Sequence, residues 1–372
     1  MKVGMSIFMQ NTNDKWTDYE VYQNDLKLAD LAEPLGFDSI WSVEHHFTPY
    51  TMVPDVLQFL TYMAGRTTKI ELGSMVVVLP WHDPVRVAEQ IAMLDNLSNG
   101  RVVIGFGRGA ATVEYNGFRV AMEESRERFV EAAEVVHKAL ANERFAHQGK
   151  YFQIPEMSIR PRPYSHPEKR LYGAAVSPDT AERMAKLGLG VLIAIPLYGW
   201  EAQAKDVQRH QQILRDQGYQ PVPPISSSFV FCAETEKEAR EGARQWMGGY
   251  WGSADAHYKF SDGHLKSVKG YEHYGVIADT AKTVTPEQSI DGFIQLQVAG
   301  SPAQCLEQIF TMQDLVGLNH FIPVFSYGGM PHNVAERNLR LFAAEVMPKL
   351  QREERKVVPV TTSSSATQRP AK

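Results

Sequence analysis

From Val3 onward, short runs of apolar and β-branched residues alternate with longer stretches whose apolar positions recur every three or four residues. The short runs fit strands covered on both faces, the longer ones fit amphipathic helices, and their alternation fits a parallel sheet with crossover helices. VGMSIF (Val3 to Phe8) predicts a first strand, and the stretch from about Tyr19 to Leu35, ended by Gly36, predicts its helix. DSIWSV (Asp38 to Val43), KIELGSMVVVLP (Lys69 to Pro80) and RVVIGF (Arg101 to Phe106) predict the next strands. Helices are expected over about Asp55 to Arg66, from Asp83 as N-cap through Pro84 to Gly100, and over Ser125 to Ala141. LYGAAV (Leu171 to Val176), GVLIAI (Gly190 to Ile195), ISSSFVFCA (Ile225 to Ala233) and NHFIPVF (Asn319 to Phe325) complete the strands. Their helices are SPDTAERMAKLG, Trp200 to Gln217, Glu234 to Met247 and NVAERNLRLFAAEVM, with SPAQCLEQIFTMQDLVG one more. Eight such units predict an α/β fold, a (β/α)8 TIM barrel, which takes about 250 residues as one domain.

The remaining length falls into two inserts and a tail. Ala141 to Pro163, with its Pro, Gly and aromatic residues, predicts a short excursion. Tyr250 to Gln297, after the seventh strand, is polar, rich in His and Tyr and poorly periodic; in a barrel such an insertion commonly forms an active-site lid. Residues 1–350 are therefore expected to form a single domain, and the polar tail 351–372 to be disordered.

Composition narrows the partners. With 372 residues, 44% apolar and 22% charged, the chain can bury a large core. A net charge of -5 without a long basic run gives no field for nucleic acid. No apolar run approaches the ~20 residues that span a bilayer. The opening MKVGMSIF lacks the apolar core and cleavage site of a secretory signal, and the cysteines, Cys232 and Cys305, stand far apart, so a reduced cytoplasmic protein is expected.

In a barrel the residues after each strand face the active site. Glu44, His45 and His46, in WSVEHHFTPY after the second strand, are thus candidates for chemistry, although a salt-bridged surface turn would use the same residues. Gly73, Ser74 and Met75 lie in the third strand's run, and GFGRGA after the fourth puts Arg108 where a small backbone lets an anion approach. VSPDT after the fifth offers Ser177 and Thr180 at a helix start, a phosphate-friendly arrangement. Gly105, Gly107 and Ala110 also match the loose G-x-G-x-x-A dinucleotide pattern, but Glu123 and Glu124 stand in a polar helix lead-in rather than where a ribose ligand belongs. A shared metal is disfavoured, because adjacent histidines on an extended segment point opposite ways and the first strand lacks an H-x-H pair.

Taken in order, EHHF, GSMVVVLP with His82, Pro84, Val85 and Arg86 following, LDNLSNGRVVIGFGRG, the ESR at Glu124 to Arg126, the GSP at Gly300 to Pro302 and VMP near Val346 resemble the bacterial luciferase-like flavin-dependent monooxygenases from about Met1 to Leu350. The resemblance implies reduced FMN as cofactor, supplied by a separate flavin reductase because no second nucleotide domain is evident, and oxygenation of a small organic substrate through a flavin hydroperoxide. It implies that His45 is the active-site histidine beside the flavin, with Glu44 orienting an imidazole. It implies phosphate contacts from Arg108, Arg126, Ser177 and Thr180, and a non-proline cis peptide at Met75–Val76 supporting the ring. Gly107 and Val176 stand where the luciferase pattern has a cysteine and an acid, which argues against light emission. A homodimer is expected. Alternatives are a deazaflavin-dependent oxidoreductase on the same barrel and a non-catalytic flavin-binding protein; the latter would not need His45. Substrate contacts are expected from the insertion and from the region of Trp200, Tyr198 and Met330.

Overall fold

The computed structural model describes residues 1–12, 15–174, 178–194, 196 and 199–352, with 178–181 described through their backbone alone. The tail expected to be disordered lies outside the described residues from 353 on.

The strands are β1 (Lys2–Ile7), β2 (Ser39–Ser42), β3 (Glu71–Val78), β4 (Val102–Gly107), β5 (Phe145–Gln148), β6 (Gln153–Met157), β7 (Leu171–Ala174), β8 (Gly190–Ile193), β9 (Ile225–Cys232), β10 (Val298–Gly300) and β11 (His320–Val324). Parallel pairing runs β11-β1-β2-β3-β4-β7-β8-β9 and closes through β9 onto β11, giving the expected eight-stranded barrel with helices around it. Two features were not legible in the sequence pattern. The excursion after Ala141 is an antiparallel hairpin of β5 and β6, and β10 is a short extra strand that pairs with the C-terminal end of β9.

Helix boundaries follow their caps. Asp83 accepts from the backbone N–H groups of Val85 and Arg86 and starts Pro84–Leu97, while Ser301 and Gln304 form a capping box that starts Pro302–Val316. The first expected helix is divided into Asp18–Ala29 and Ala32–Leu35. The helix after β9 runs Glu236–Tyr258, eleven residues past the expected end at Met247, so the insertion proper begins at Lys259. That insertion is ordered into helices Gly275–Ala281 and Pro286–Gln295 with short 3-10 turns between.

Apolar packing has two layers. The main core lies between barrel and helices, and a small cluster of Trp41, Met75, Val103, Leu192, Ile225 and Ile322 fills the barrel itself. Trp41 is fully buried and its indole N–H donates to Ser39 Oγ at 2.7 Å, which in turn meets His320 Nε2 at 2.7 Å. Burial, and then the charges of Lys2 and the N-terminus, push His320 down to about 3, so it stays neutral inside the barrel. The indole needs neighbouring strands without side chains: a Cβ on Gly73 would stand 2.2 Å from it.

Gly73→Ala is therefore expected to lower unfolding free energy by about 1–3 kcal/mol, the usual penalty of overpacking a filled core. Gly252→Ala, in the Glu236–Tyr258 helix with nothing within 4 Å of the added methyl, is expected to raise it by about 0.5–1 kcal/mol. Urea denaturation of the two variants beside the parent checks both signs.

Candidate active site

The C-terminal ends of the barrel strands open into a cleft. Phe8 after β1, Val43 to His45 after β2, Met75, Val76 and Val78 of β3, Gly107 to Ala110 at the end of β4, and Ser227 and Phe229 of β9 line its floor. Tyr250, Trp251, Ala254 and Tyr258 from the helix after β9, with Phe260, Tyr274 and Ile277 from the insertion, cover it. Of the region expected to contact substrate, Trp200 and Met330 are buried away from this lining, and Tyr198 lies outside the described residues.

At the floor, β3 carries an irregularity between Ser74 and Val77, and the Met75–Val76 bond is the cis peptide expected there. Ser74 replaces the lost ladder contacts, its hydroxyl donating to Gly105 O and accepting from Gly105 N, each at 3.0 Å. Val76 then leans onto β4, where a Cβ on Gly107 would stand 2.3 Å from its Cγ2. A side chain at this position requires Val76 to move.

The EHH segment divides its labour. His45 lines the cleft, its Nδ1 3.0 Å from Glu114 Oε1 and its Nε2 3.1 Å from the Tyr258 hydroxyl. With Glu114 ionised, Nδ1–H donates to the carboxylate, which leaves Nε2 to accept from Tyr258. His46 turns away and packs edge-on against Phe118 and Trp81 at ring distances of 4.6 and 5.4 Å. Glu44 accepts from His46 Nε2 at 3.1 Å, His82 Nε2 at 2.7 Å and the Val78 N–H at 2.9 Å. The imidazoles that Glu44 orients are thus those of His46 and His82; the carboxylate facing His45 is Glu114. Burial alone would raise the Glu44 carboxyl, but its hydrogen bonds to His46 and His82 outweigh that and hold it low. Burial would likewise push His82 down, and the Glu44 contact holds it above its ordinary value.

Glu114, in the helix Thr112–Phe118 after β4, is fully buried. Its Oε1 also accepts from the His46 N–H at 2.8 Å and lies 3.4 Å from His257 Nε2. Against a burial penalty, the charges and hydrogen bonds of His45 and His257 bring its carboxyl down to about 2. His257 is itself shifted down by burial, more than Glu114 raises it, and its Nδ1 meets Thr48 Oγ1 at 2.7 Å. The ligating atoms of His45, Glu114 and His257 all lie within 4.8 Å of one another. Sequence reading missed Glu114, His257 and Tyr258; the strand-end rule reaches the first, which stands seven residues past Gly107.

A second centre lies beside Arg108. Arg108 Nη2 and Arg126 Nη2 both donate to Gly270 O of the insertion, at 3.0 and 3.2 Å, and the Arg108 guanidinium stacks on the Tyr271 ring at 4.5 Å. Arg108 Nη1 is buried with no hydrogen-bond partner. Burial first, then the charges of these two arginines, push His273 down to about 4. Two guanidinium groups that converge on one carbonyl, with Arg108 Nη1 unmet, suit an anion. Ser177 lies outside the described residues, and the backbone places Thr180 in the first turn of the helix Pro178–Lys186 after β7.

The insertion joins the two centres through stacked rings. Tyr258 stacks on Phe260 (4.7 Å between centroids, 16° between planes), Phe260 on Tyr274 (5.2 Å, 14°) and Tyr274 on Tyr271 (6.2 Å, 25°), the ring under Arg108.

A family model described as luciferase-like monooxygenase matches residues 1–318. The chain belongs to the luciferase-like monooxygenase family. This luciferase-like monooxygenase is similar to the alkanal monooxygenase alpha chain of Photorhabdus luminescens, 24% identical over 344 residues that cover 91% of this chain and 94% of that one. The oxygenase component of a flavin-dependent trigonelline monooxygenase from Acinetobacter baylyi is 28% identical over 249 residues, 66% of this chain and 69% of that one. The crystal structure of the monooxygenase RslO1 from Streptomyces bottropensis matches with a TM-score of 0.77 and 27% identity, over 94% of this chain and 99% of that one. The luciferase-like monooxygenase described here is thus an oxidoreductase of the flavin-dependent monooxygenase class.

Because the Glu114 carboxyl is held below its ordinary value of 4.5, its contribution to stability is complete above about pH 4.5 and is lost as pH falls through about 2. That contribution is on the order of 3 kcal/mol. Glu114→Gln is expected to be the less stable protein at neutral pH, with the difference shrinking as pH approaches 2. Urea midpoints of both proteins across this range measure it, and a gap that widens in acid contradicts the assignment.

Proposed function

We propose that this luciferase-like monooxygenase binds reduced FMN, delivered by a separate flavin reductase, and oxygenates a small organic substrate. The observation that carries the reading is the pair of guanidinium groups on Gly270 O with Arg108 Nη1 buried and unmet. A flavin phosphate would give the unmet Arg108 N–H its partner, and Arg108 and Arg126 would hold it, with Ser177 and Thr180 assigned to the same end. Met75 and Val76 would support the ring. When bound, reduced flavin supplies the electrons that activate oxygen for insertion. The absence of a second nucleotide-binding unit among the described residues favours an external reductase, as does the similarity to a protein named as an oxygenase component.

The chain's own residues supply the rest. His45, fixed by Glu114 on one nitrogen and by Tyr258 on the other, holds or moves a proton at the cleft. Glu44 keeps the backing layer of His46 and His82 in register. Residues 1–350 act as one unit in which the insertion from Lys259 to Gln297 serves as a lid that excludes water. Free buried cysteines suit the reducing cytoplasm, and the exposed Tyr62, Met93 and Leu97 on adjacent helices suit a homodimer contact. A deazaflavin-dependent oxidoreductase is the neighbouring alternative; titration with FMN and deazaflavin in oxidised and reduced forms separates the two by affinity.

Arg108→Ala is expected to raise the Kd for reduced FMN by roughly tenfold to a hundredfold, because a charge-assisted phosphate bond is made equally in ground and transition states. Saturating flavin should then restore turnover; a deficit that persists at saturation assigns Arg108 another task. His45→Ala should still bind reduced FMN and consume oxygen, yet lose product by roughly 10²- to 10⁴-fold, with the missing oxygen released as hydrogen peroxide. His46→Ala should do less harm. Parallel assays of oxygen, peroxide and product decide this, and full coupling in the His45 variant removes it from the proton-handling role.

A further inference from the structure

The cleft beyond the anion site is lined by two groups of rings that meet at Tyr50, which lies 5.8 Å from the Tyr250 ring and 5.4 Å from the Tyr258 ring. In the first, Phe229 and Tyr250 lie 3.9 Å apart between centroids, and Phe293 backs both Tyr250 (5.7 Å, 25°) and Trp251 (5.1 Å, 23°). The Trp251 indole N–H donates to Ser289 Oγ at 3.0 Å, which fixes the ring in place. The second is the stack of Tyr258, Phe260 and Tyr274.

Charge is scarce in this lining. Its carboxylate and guanidinium residues are Glu44, committed to His46, His82 and the Val78 N–H, and Arg108, turned to Gly270 O and Tyr271. With the anion site at Arg108 filled, a carboxylate or ammonium entering among these rings would leave water without a remaining opposite charge to meet, which costs several kcal/mol. Ser227 also lines this space, as does Tyr258, whose hydroxyl is already given to His45. A flat ring, by contrast, finds ring faces and edges along this lining, each contact worth about 0.5–1.5 kcal/mol beyond the area buried.

We infer that the substrate is an uncharged aromatic molecule bearing a neutral oxygen function, a carbonyl or a hydroxyl, that hydrogen-bonds within the cleft. The inference rests on the monooxygenase reading above for its meaning as a substrate, and on the lining of the cleft for the class of molecule.

Three probes separate the terms: 2-naphthaldehyde, 2-naphthoate, which keeps the rings and adds a negative charge, and decanal, which keeps the aldehyde and removes the rings. Calorimetric titration of the full chain saturated with FMN, which occupies the anion site, should give 2-naphthaldehyde a Kd lower by about tenfold or more than either of the others. Trp251→Leu and Phe260→Leu should each narrow the gap between 2-naphthaldehyde and decanal. The inference is overturned if 2-naphthoate or decanal binds as tightly as 2-naphthaldehyde, if none of the three binds, or if neither variant changes the ranking. FMN affinity, read in the same titrations, keeps the two readings apart. A protein that binds FMN but prefers 2-naphthoate loses this inference alone, whereas one that ignores FMN loses the cofactor assignment while the order of 2-naphthaldehyde and decanal still reports on the rings.

Discussion

A carboxylate with no exposure to water needs donors, and Glu114 meets its donors on Oε1, with His257 close by, while Oε2 is buried without a hydrogen-bond partner. An unpaired charge at that depth would cost several kcal/mol, so the elements that satisfy it are bound to its position. They come from separate parts of the barrel. His45 and the His46 N–H arrive on the loop after β2, His257 arrives on the last turn of the helix after β9, and Glu114 itself stands on the helix after β4. The cleft has its shape because these three must meet. The same meeting fixes which nitrogen of His45 carries hydrogen, since the carboxylate takes the Nδ1–H and leaves Nε2 to the Tyr258 hydroxyl.

The barrel itself was readable because its strands are continuous apolar runs and its helices have a clear period, so strand ends could be marked and His45 and Arg108 placed at the mouth from local pattern. What escaped was assembled from afar. Glu114 lies 69 residues from His45 and Tyr258 lies 213 from it, and nothing in TVEYNGF or SADAHYKF distinguishes a buried acid or a hydroxyl donor from a surface one. EHH also invited the pairing of neighbours, whereas the turn after β2 sends Glu44 to the second histidine and away from the first.

The misjudged helix end has its own cause. The expected end at Met247 falls just before Gly248 and Gly249, but the helix runs through them to Tyr258. A Cβ on Gly249 would stand 2.7 Å from Gly328 O, and one on Gly328 would stand 2.0 Å from Trp246 O. The glycines allow the helix backbone to lie directly on the loop after β11, a packing demand that local sequence does not reveal. Without that contact the helix would stand farther from the mouth, and His257 and Tyr258 would fall short of Glu114 and His45.

The stack of rings from Tyr258 to Tyr271 ties two tasks into one movement. One end of it touches the imidazole through a hydroxyl and the other lies under a guanidinium of the anion site. On the proposed reading, an insertion that swings outward takes Phe260 off the Tyr258 ring and Tyr271 from under Arg108 together. The ring that holds the imidazole and the guanidinium of the anion site then lose their backing at the same moment, so an opening at either end is felt at the other.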